Sequence, residues 1–270
     1  MKIPLSVIIL TYNEELNLEN CLKNIFGWAD EILIVDGGPA GAHSDDKTFE
    51  IAEKYGCKIF KHPFENQAVQ FNWILDNLDI KNEWILRLDA DEYLTEELKN
   101  EISEKIKNSP MGVNGYYMKR RVYFMGKWIK HGGYYPTWIL RLFRRGKGKS
   151  ELRKVDEHIV LIEGEAGKLK NDFIDNNKKD LTWWIGKHNN YASREAADFL
   201  AGNFGGSKKR YYYALPMFFR AWLYFIYRYF FRLGFLDGKR GLIFHFFQGF
   251  WYRFLVDAKI FEAKMKNRKN

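Results

Sequence analysis

Residues 1–108 predict an α/β domain built on a doubly wound, mostly parallel sheet, and three observations carry that prediction. Short apolar runs alternate with segments of helical period, the order that βαβ units require. The runs are nearly continuous rather than alternating, as in strands covered on both faces. Polar residues with chemical potential (Thr11 to Glu14, Asp36, Asp89 and Asp91) stand at the ends of the runs. Ligands of such sheets bind there, beyond the carboxyl ends of the strands.

Residues 4–10, Pro-Leu-Ser-Val-Ile-Ile-Leu, predict the first strand. Residues 17–26 carry Leu18, Cys21, Leu22, Ile25 and Phe26 at helical spacing. Strands follow at 31–35, 57–60 and 83–88, with helices at 47–55 and 67–78. Asp45 or Asp46 caps the first of these helices. Thr95 opens another, with Leu98, Ile102 and Ile106 on one face. From Gly112 the pattern changes. Strands are expected at 115–124 and 138–143, around a glycine- and aromatic-rich stretch at 126–136. A helix is expected at 182–199, and the glycine- and lysine-rich 202–210 is the best boundary. The division is therefore 1–205, with a nucleotide half at 1–94 and an acceptor half at 95–205, followed by a helical appendage at 206–270.

Composition narrows the partners. The chain has 270 residues, 46% of them hydrophobic, enough for a real core. Lys and Arg number 43 against 34 Asp and Glu, a net charge of +9 that suits phosphates, nucleic acid or an anionic membrane surface. Cys21 and Cys57 show no metal spacing and read as reduced core residues of a cytoplasmic protein. The amino terminus lacks the layout of a signal peptide.

Leu88-Asp89-Ala90-Asp91-Glu92 is the most informative stretch. Side chains alternate along extended backbone, so Asp89 and Asp91 are expected to point to the same side. Such a pair can hold Mg²⁺ or Mn²⁺, which commonly takes one or two carboxylates plus substrate phosphates. A solvated turn fits the same spacing.

Residues 216–231 are almost wholly apolar or aromatic except Arg220 and Arg228, with Arg232 following. On a helix these arginines fall within an arc of about 120°. The apolar runs are too short for a confident membrane span. The reading preferred here is a segment lying in the membrane interface over residues 211–261, its guanidiniums reaching headgroups. Residues 242–261 are similar, with His245, Gln248 and Tyr252 on one side. Packing on the protein's own core or on a second subunit is the alternative. Nucleic acid is disfavoured, because the tail's arginines sit among apolar rings.

Taken together, Val7-Ile8-Ile9-Leu10-Thr11-Tyr12-Asn13-Glu14, Ile34-Val35-Asp36-Gly37-Gly38, Ser44-Asp45-Asp46-Lys47-Thr48 and Leu88-Asp89-Ala90-Asp91-Glu92 resemble the inverting family 2 glycosyltransferases of the GT-A fold. Arg141 to Arg145 and Glu163-Gly164 look like the branch of lipopolysaccharide-core and capsule sugar transferases. The resemblance covers roughly the first 100 residues well and the next hundred loosely. It implies a metal-dependent transfer of sugar from a UDP-, GDP- or dTDP-linked donor to a glycan or lipid-linked acceptor. An inactive or nucleotide-binding module and a sugar nucleotidyltransferase are the alternatives, and a homo-oligomer is allowed.

The resemblance also implies roles. Thr11, Tyr12, Glu14, Asp36, Gln70 and Asp89 would line the nucleotide-sugar site. Asp91 would hold Mg²⁺ or Mn²⁺, with Asp89 and His158 as further ligands. Glu157 would be the general base, with Asp156 as the other candidate. Glu157 falls on the glutamate of a His-Glu variant. Two departures stand out. Residues 39–43 are inserted before Ser44, beside the expected nucleotide site. Gln70 and Asn72 replace an arginine–asparagine pair that relatives set near the phosphates. The His131-Gly132-Gly133-Tyr134-Tyr135-Pro136 stretch reads either as an aromatic acceptor platform or as a structural turn.

Overall fold

The computed structural model describes residues 2–152, 158–203 and 207–267, and of Ser207 and Lys208 only the backbone. The chain divides into two compact units: Met1–Tyr123 with Pro136–Lys178, and Phe124–Tyr135 with Lys179–Asn270.

In the first unit strand and helix alternate as expected: β1 (Ile3–Thr11), α1 (Leu18–Ile25), β2 (Ala29–Asp36), α2 (Thr48–Lys54), β3 (Lys58–Lys61), α3 (Gln67–Asn77) and β4 (Trp84–Asp89). Next come β5 (Glu92–Leu94), α4 (Glu96–Lys107) and β6 (Val113–Phe124). The chain then enters the second unit, which holds the short β7 (Lys127–Trp128), and returns as β8 (Thr137–Arg144), β9 (Gly148–Ser150), β10 (Ile159–Leu161) and β11 (Glu165–Asp175). The main sheet runs β3-β2-β1-β4-β8-β6-β11-β5. The first four strands are parallel. β8 then runs antiparallel to both β4 and β6, and β11 pairs parallel with β6.

The continuous apolar runs are explained by burial on both faces. Leu5, Val7 and Ile9 of β1 pack with Leu18, Cys21, Leu22 and Ile25 of α1. Ile8, on the other face, packs with Phe71 and Ile74 of α3. Burying each such side chain stabilises the fold by ~1.5–3 kcal/mol. Thr95 caps α4 as expected, its Oγ1 accepting from the Leu98 amide at 3.2 Å. Burial pushes the thiols of Cys21 and Cys57 up, Cys57 to about 12, so both remain inert core groups. β5, β7, β9, β10 and β11 have no counterpart among the strands expected from the sequence. They are short or broken by charges, as in Glu-Ala-Gly-Lys-Leu-Lys at 165–170.

One irregularity bears on the site. Tyr116 pairs with Leu142 and Tyr117 with Leu140, so Arg141 is an extra residue in β8. A bulge of this kind re-aims the side chain it carries.

The second unit contains α5 (Leu181–Leu200), α6 (Ser207–Ala214), α7 (Phe219–Ile226), α8 (Gly238–His245) and α9 (Tyr252–Asn267). A π turn, Tyr227–Phe231, extends α7, and another, Phe246–Trp251, joins α8 to α9. Ala192 and Ala196 of α5 pack with Tyr252, Val256 and Ile260 of α9. The compact units therefore part at residue 178, not after 205, because the small face of α5 is buried in the helical unit.

The expected basic stripe is turned the other way. Arg220 is 1% exposed and Arg228 9%. Arg220 Nε donates to Asp257 Oδ1 at 2.9 Å, in a fully buried ion pair. Arg228 Nε donates to the Gly132 carbonyl at 2.7 Å, and its guanidinium lies 3.7 Å from the centre of the Tyr134 ring. Burial of these charges needs partners, and Asp257, 37 residues on from Arg220, supplies one. His245 and Tyr252 are buried too, and only Arg232 of the three stripe arginines is exposed. The glycine-rich loop is a structural turn. His131 Nδ1 lies 2.8 Å from Asp237 Oδ1, and Gly132 donates its amide to the Arg232 carbonyl at 2.8 Å. A Cβ on Gly132 would fall 2.0 Å from His245 Cε1, so only glycine fits there.

Candidate active site

Three strand ends build the site within the first unit: Thr11 closes β1, Asp36 closes β2 and Asp89 closes β4. Their register makes them neighbours, since Thr11 pairs with Asp36 and Leu10 with Asp89.

Asp36 is fully buried and engaged by its own chain. It accepts from Thr11 Oγ1 at 2.9 Å and from the Ser44 amide at 2.8 Å, and the Ser44 hydroxyl donates to it as well. The insertion at 39–43 is what Ser44 must clear. It folds into a one-turn 3₁₀ segment, Pro39–Gly41, closed by the Gly38 amide donating to the Ala42 carbonyl at 2.7 Å. Ser44 thus returns to Asp36 despite the added residues. Asn13, in the left-handed region at φ 52°, donates its amide to Ser44 Oγ at 2.8 Å and accepts the Asp45 amide at 3.0 Å. Asparagine tolerates that backbone. The Glu14 amide donates to Thr48 Oγ1 at 2.8 Å, and its carboxylate accepts from Asn17 at 2.8 Å. These bonds stitch the 11–14 loop to the 44–48 loop.

Tyr12 is partly exposed, and its ring lies against Gly38: a Cβ there would meet it at 2.1 Å. The ring is therefore backed by the Gly38 backbone and stays partly exposed. Gln70 is buried under Gly37, hydrogen-bonded to His62 Nδ1 at 2.7 Å. Asn72 holds Ser150 of β9 from both sides, donating to its carbonyl at 2.9 Å and accepting its amide at 2.8 Å. Both amides are therefore spent on internal bonds.

The two acids expected to face one way are held by different elements. β4 ends at Asp89, and Ala90 and Asp91 form a turn, so strand alternation stops one residue short of Asp91. Asp89 accepts from the bulged Arg141 at 2.9 Å, and Arg87 approaches its other oxygen at 3.6 Å. Arg141 also donates to Glu92 at 2.6 Å, and Glu92 accepts the Asp89 amide at 2.9 Å. Burial pushes the Glu92 carboxyl up, to about 8, against the pull of Arg141. Burial opposes the charge on Arg141 too, but Asp89 and Glu92 outweigh it and hold the guanidinium above its ordinary value. Asp91 Oδ2 accepts from Asn177 Nδ2 at 2.7 Å, and its carbonyl accepts the Asn176 amide at 3.0 Å. The Lys178 amide donates to Asn17 Oδ1 at 2.8 Å, joining this segment to the 14–17 loop.

Among the described residues no three His, Cys, Asp or Glu side chains form a metal-holding group. His158, exposed beside β10, is accordingly not gathered with Asp89 and Asp91, contrary to the expected ligand set. Asp156 and Glu157 lie outside the described residues. Their flanks are anchored: the Glu151 amide donates to the His158 carbonyl at 2.9 Å, extending the β9–β10 ladder. Reading by motif missed Ser44 as the partner of Asp36, and it missed Arg87, Arg141, Glu92 and Asn177. Charged residues inside apolar strands, as in Ile85-Leu86-Arg87-Leu88 and Ile139-Leu140-Arg141-Leu142, were the available signal.

Residues 6–160 match the family described as Glycosyl transferase family 2. The chain belongs to glycosyl transferase family 2. It is also 31% identical over 283 residues to the lipopolysaccharide core biosynthesis glycosyltransferase LpsC of Rhizobium meliloti (strain 1021), covering 100% of this chain and 96% of the relative. A glycosyltransferase of Rickettsia bellii (strain RML369-C) is 37% identical over 98 residues, 36% of this chain and 31% of its own. Among solved structures, S. aureus TarS 1-349 in complex with UDP-GlcNAc aligns with a TM-score of 0.44 at 16% identity, covering 77% of this chain and 69% of that one. The family 2 chain is thus a glycosyltransferase with a mixed, mostly parallel central sheet flanked by helices and a helical carboxyl-terminal region.

Proposed function

We propose that this glycosyltransferase moves a sugar, with inversion, from a nucleotide-sugar donor to a lipid-linked glycan in the synthesis of lipopolysaccharide core or a related surface polysaccharide. The observation that carries the proposal is the cluster at the ends of β1, β2 and β4, where Thr11, Asp36 and Asp89 lie at neighbouring strand ends beside the stitched 11–14 and 44–48 loops. The LpsC relative, aligned over the whole chain, supports the choice of acceptor class. A structure of Mycobacterium tuberculosis glucosyl-3-phosphoglycerate synthase contains Mn²⁺ and UDP, with a TM-score of 0.34 over 45% of this chain.

The residues present fit a divalent cation. Asp91 offers a hard oxygen donor, half-buried in a turn, with Oδ2 committed to Asn177 and Oδ1 left to accept a cation. Mg²⁺ or Mn²⁺ would complete its shell with diphosphate oxygens and water. When bound, the cation neutralises charge on the leaving diphosphate. Asp89, already compensated by Arg141 and Arg87, is the poorer metal ligand and suits a ribose hydroxyl or a metal-bound water. Tyr12 stacks on the base from its Gly38 backing. Asp36 acts through Ser44, holding the loop that shapes the nucleotide pocket. Glu157, with Asp156 as the alternative, removes the acceptor proton, a contribution of typically ~10²–10⁴-fold. The proposal extends to location, peripheral on the cytoplasmic face of the cell membrane.

A panel of UDP-, GDP- and dTDP-sugars, scored for Mn²⁺-dependent thermal stabilisation and for turnover, tests the reading. One donor is expected to stabilise the protein only with the cation. Asp91→Ala should remove the cation's effect and slow turnover by ~10³-fold, about 4 kcal/mol of lost charge stabilisation. Normal turnover in Asp91→Ala rejects the metal assignment.

A further inference from the structure

The second unit carries an inverted helix. On α7 and its π extension, Arg220, Ala221 and Arg228 are buried. Phe219, Trp222, Leu223, Ile226, Tyr227 and Phe230 are exposed. Their spacing of 3, 4, 7, 8 and 11 residues from Phe219 is that of one continuous helix face. The turn that follows continues it: Phe231 is 75% exposed, and Leu233, Phe235 and Leu236 are exposed as well. The face also reaches the next helix. The Trp222 ring lies tilted at 4.2 Å from Phe250, which lies 5.5 Å from the exposed Phe246. Contiguous exposed apolar surface of this kind marks an interaction site.

The charge around it selects the partner. Residues 199–256 hold nine Lys and Arg and one acid, Asp237. Asp237 is buried, bound to His131 and to the amides of His131 and Lys130. Arg220, Arg228 and Arg253 are spent inside. Among the described residues of this stretch, the charges that stay exposed are all positive: Arg210, Arg232, Lys239 and Arg240. Arg232, Lys239 and Arg240 border the apolar turn in sequence. A second copy would bring the same positive rim against itself. No described helix is long and apolar enough to cross a membrane.

We propose that this aromatic face, with Arg232, Lys239 and Arg240 at its edge, docks in the interface of an anionic lipid bilayer. The rings of Trp222, Phe230 and Phe231 enter the boundary between headgroups and acyl chains, and the three cations meet lipid phosphates. The mode is the reverse of a snorkelling arginine stripe. The helix arginines fasten the unit from inside, and the rings themselves make the lipid contact. This deepens the peripheral-location part of the proposed function and is independent of the donor chemistry.

Flotation of the full chain with vesicles of phosphatidylcholine, alone or with an equal part of phosphatidylglycerol, tests it. Wild-type protein should float with the anionic vesicles and do so less as salt rises. The triple variant R232Q/K239Q/R240Q should bind about a hundredfold more weakly, at about fivefold per charge. The pair Phe230→Ser and Phe231→Ser should abolish flotation while circular dichroism and sugar-nucleotide turnover in detergent stay unchanged, because both side chains are exposed. If both variants float like wild type, the face is not the docking surface, though the peripheral reading survives. If wild type floats with neither vesicle, both fall. If sedimentation shows a dimer that Phe230→Ser/Phe231→Ser dissolves, the face belongs to a second copy.

Discussion

The two units of this glycosyltransferase both bury charged groups but differ in what they leave exposed. The first keeps Ile8, Leu33 and Leu86 inside and brings its acids to the strand ends. The second buries Arg220 with Asp257, and Glu195 with Arg253, while Phe219, Phe230 and Phe231 stay in solvent. A charge turned inward needs a compensating partner. In the second unit Arg220 and Glu195 meet groups of opposite sign, at a sequence distance of 37 residues for Arg220–Asp257 and 58 for Glu195–Arg253, while Arg228 is held by the Gly132 carbonyl and the Tyr134 ring. Helix orientation in such a unit is fixed by polar pairing, and its apolar residues are free to serve another surface.

That contrast breaks most sharply at Asp257. Its carboxylate receives Arg220 and the Phe218 amide and is wholly buried. Asp257→Ala should therefore strand a buried guanidinium and destabilise the second unit by about 3–5 kcal/mol. Replacing both partners with apolar residues of similar volume should recover most of that loss. Chemical denaturation followed by tryptophan fluorescence measures both. A loss near zero in Asp257→Ala would mean that the rings, not the ion pair, orient α7.

The same contrast explains what could be read in advance. The strands and helices of residues 1–108 emerge from local pattern, because a parallel strand buried on both faces is a contiguous apolar run. The placement of Thr11, Asp36 and Asp89 at strand ends was legible because strand ends follow from strand limits. The partners of Asp89 were not, because Arg141 reaches it through a bulge that no periodicity announces. The alternation argument failed at Asp91 for a related reason. Glu92 folds back to accept the Asp89 amide, and this bond accompanies a turn where an extended chain was expected. In the helical unit the period of the arginines was right and their direction was wrong, since period alone does not say which side of a helix faces water.

A middle-sized effect sharpens the account of the first unit. Arg141 touches both Asp89 and Glu92. Arg141→Met should lower kcat/KM by about 10–100-fold, the scale seen when a supporting contact to a site carboxylate is lost. Glu92 should tolerate the change by keeping its proton, since burial already pushes its carboxyl to about 8. The melting temperature should therefore fall much less than activity, and Glu92→Gln added to Arg141→Met should cost little more. An activity loss matched by an equal loss of stability would make Arg141 a packing residue only.

The smallest effect is acid sensitivity of the second unit through its histidines. His188 stacks on Trp184 at 3.5 Å and lies 2.8 Å from its carbonyl, and burial, with Lys187 adding to it, pushes its pKa down to about 4. His245 is wedged against Gly132 and Gly234. Burial, aided by Arg228 and opposed by Asp237, takes it to about 4 as well. In the unfolded chain both titrate near the ordinary value of about 6.5. The folded unit therefore binds fewer protons than the unfolded one between these values. Its stability is complete above pH 6.5 and is lost as pH falls toward 4. One pH unit of acidification from 6.5 should cost about 1 kcal/mol for each histidine. His188→Gln should halve that slope in unfolding curves measured across the window, whatever it does to absolute stability. A slope unchanged by the substitution would mean that His188 titrates alike folded and unfolded, and that its stacking on Trp184 leaves the ring open to water.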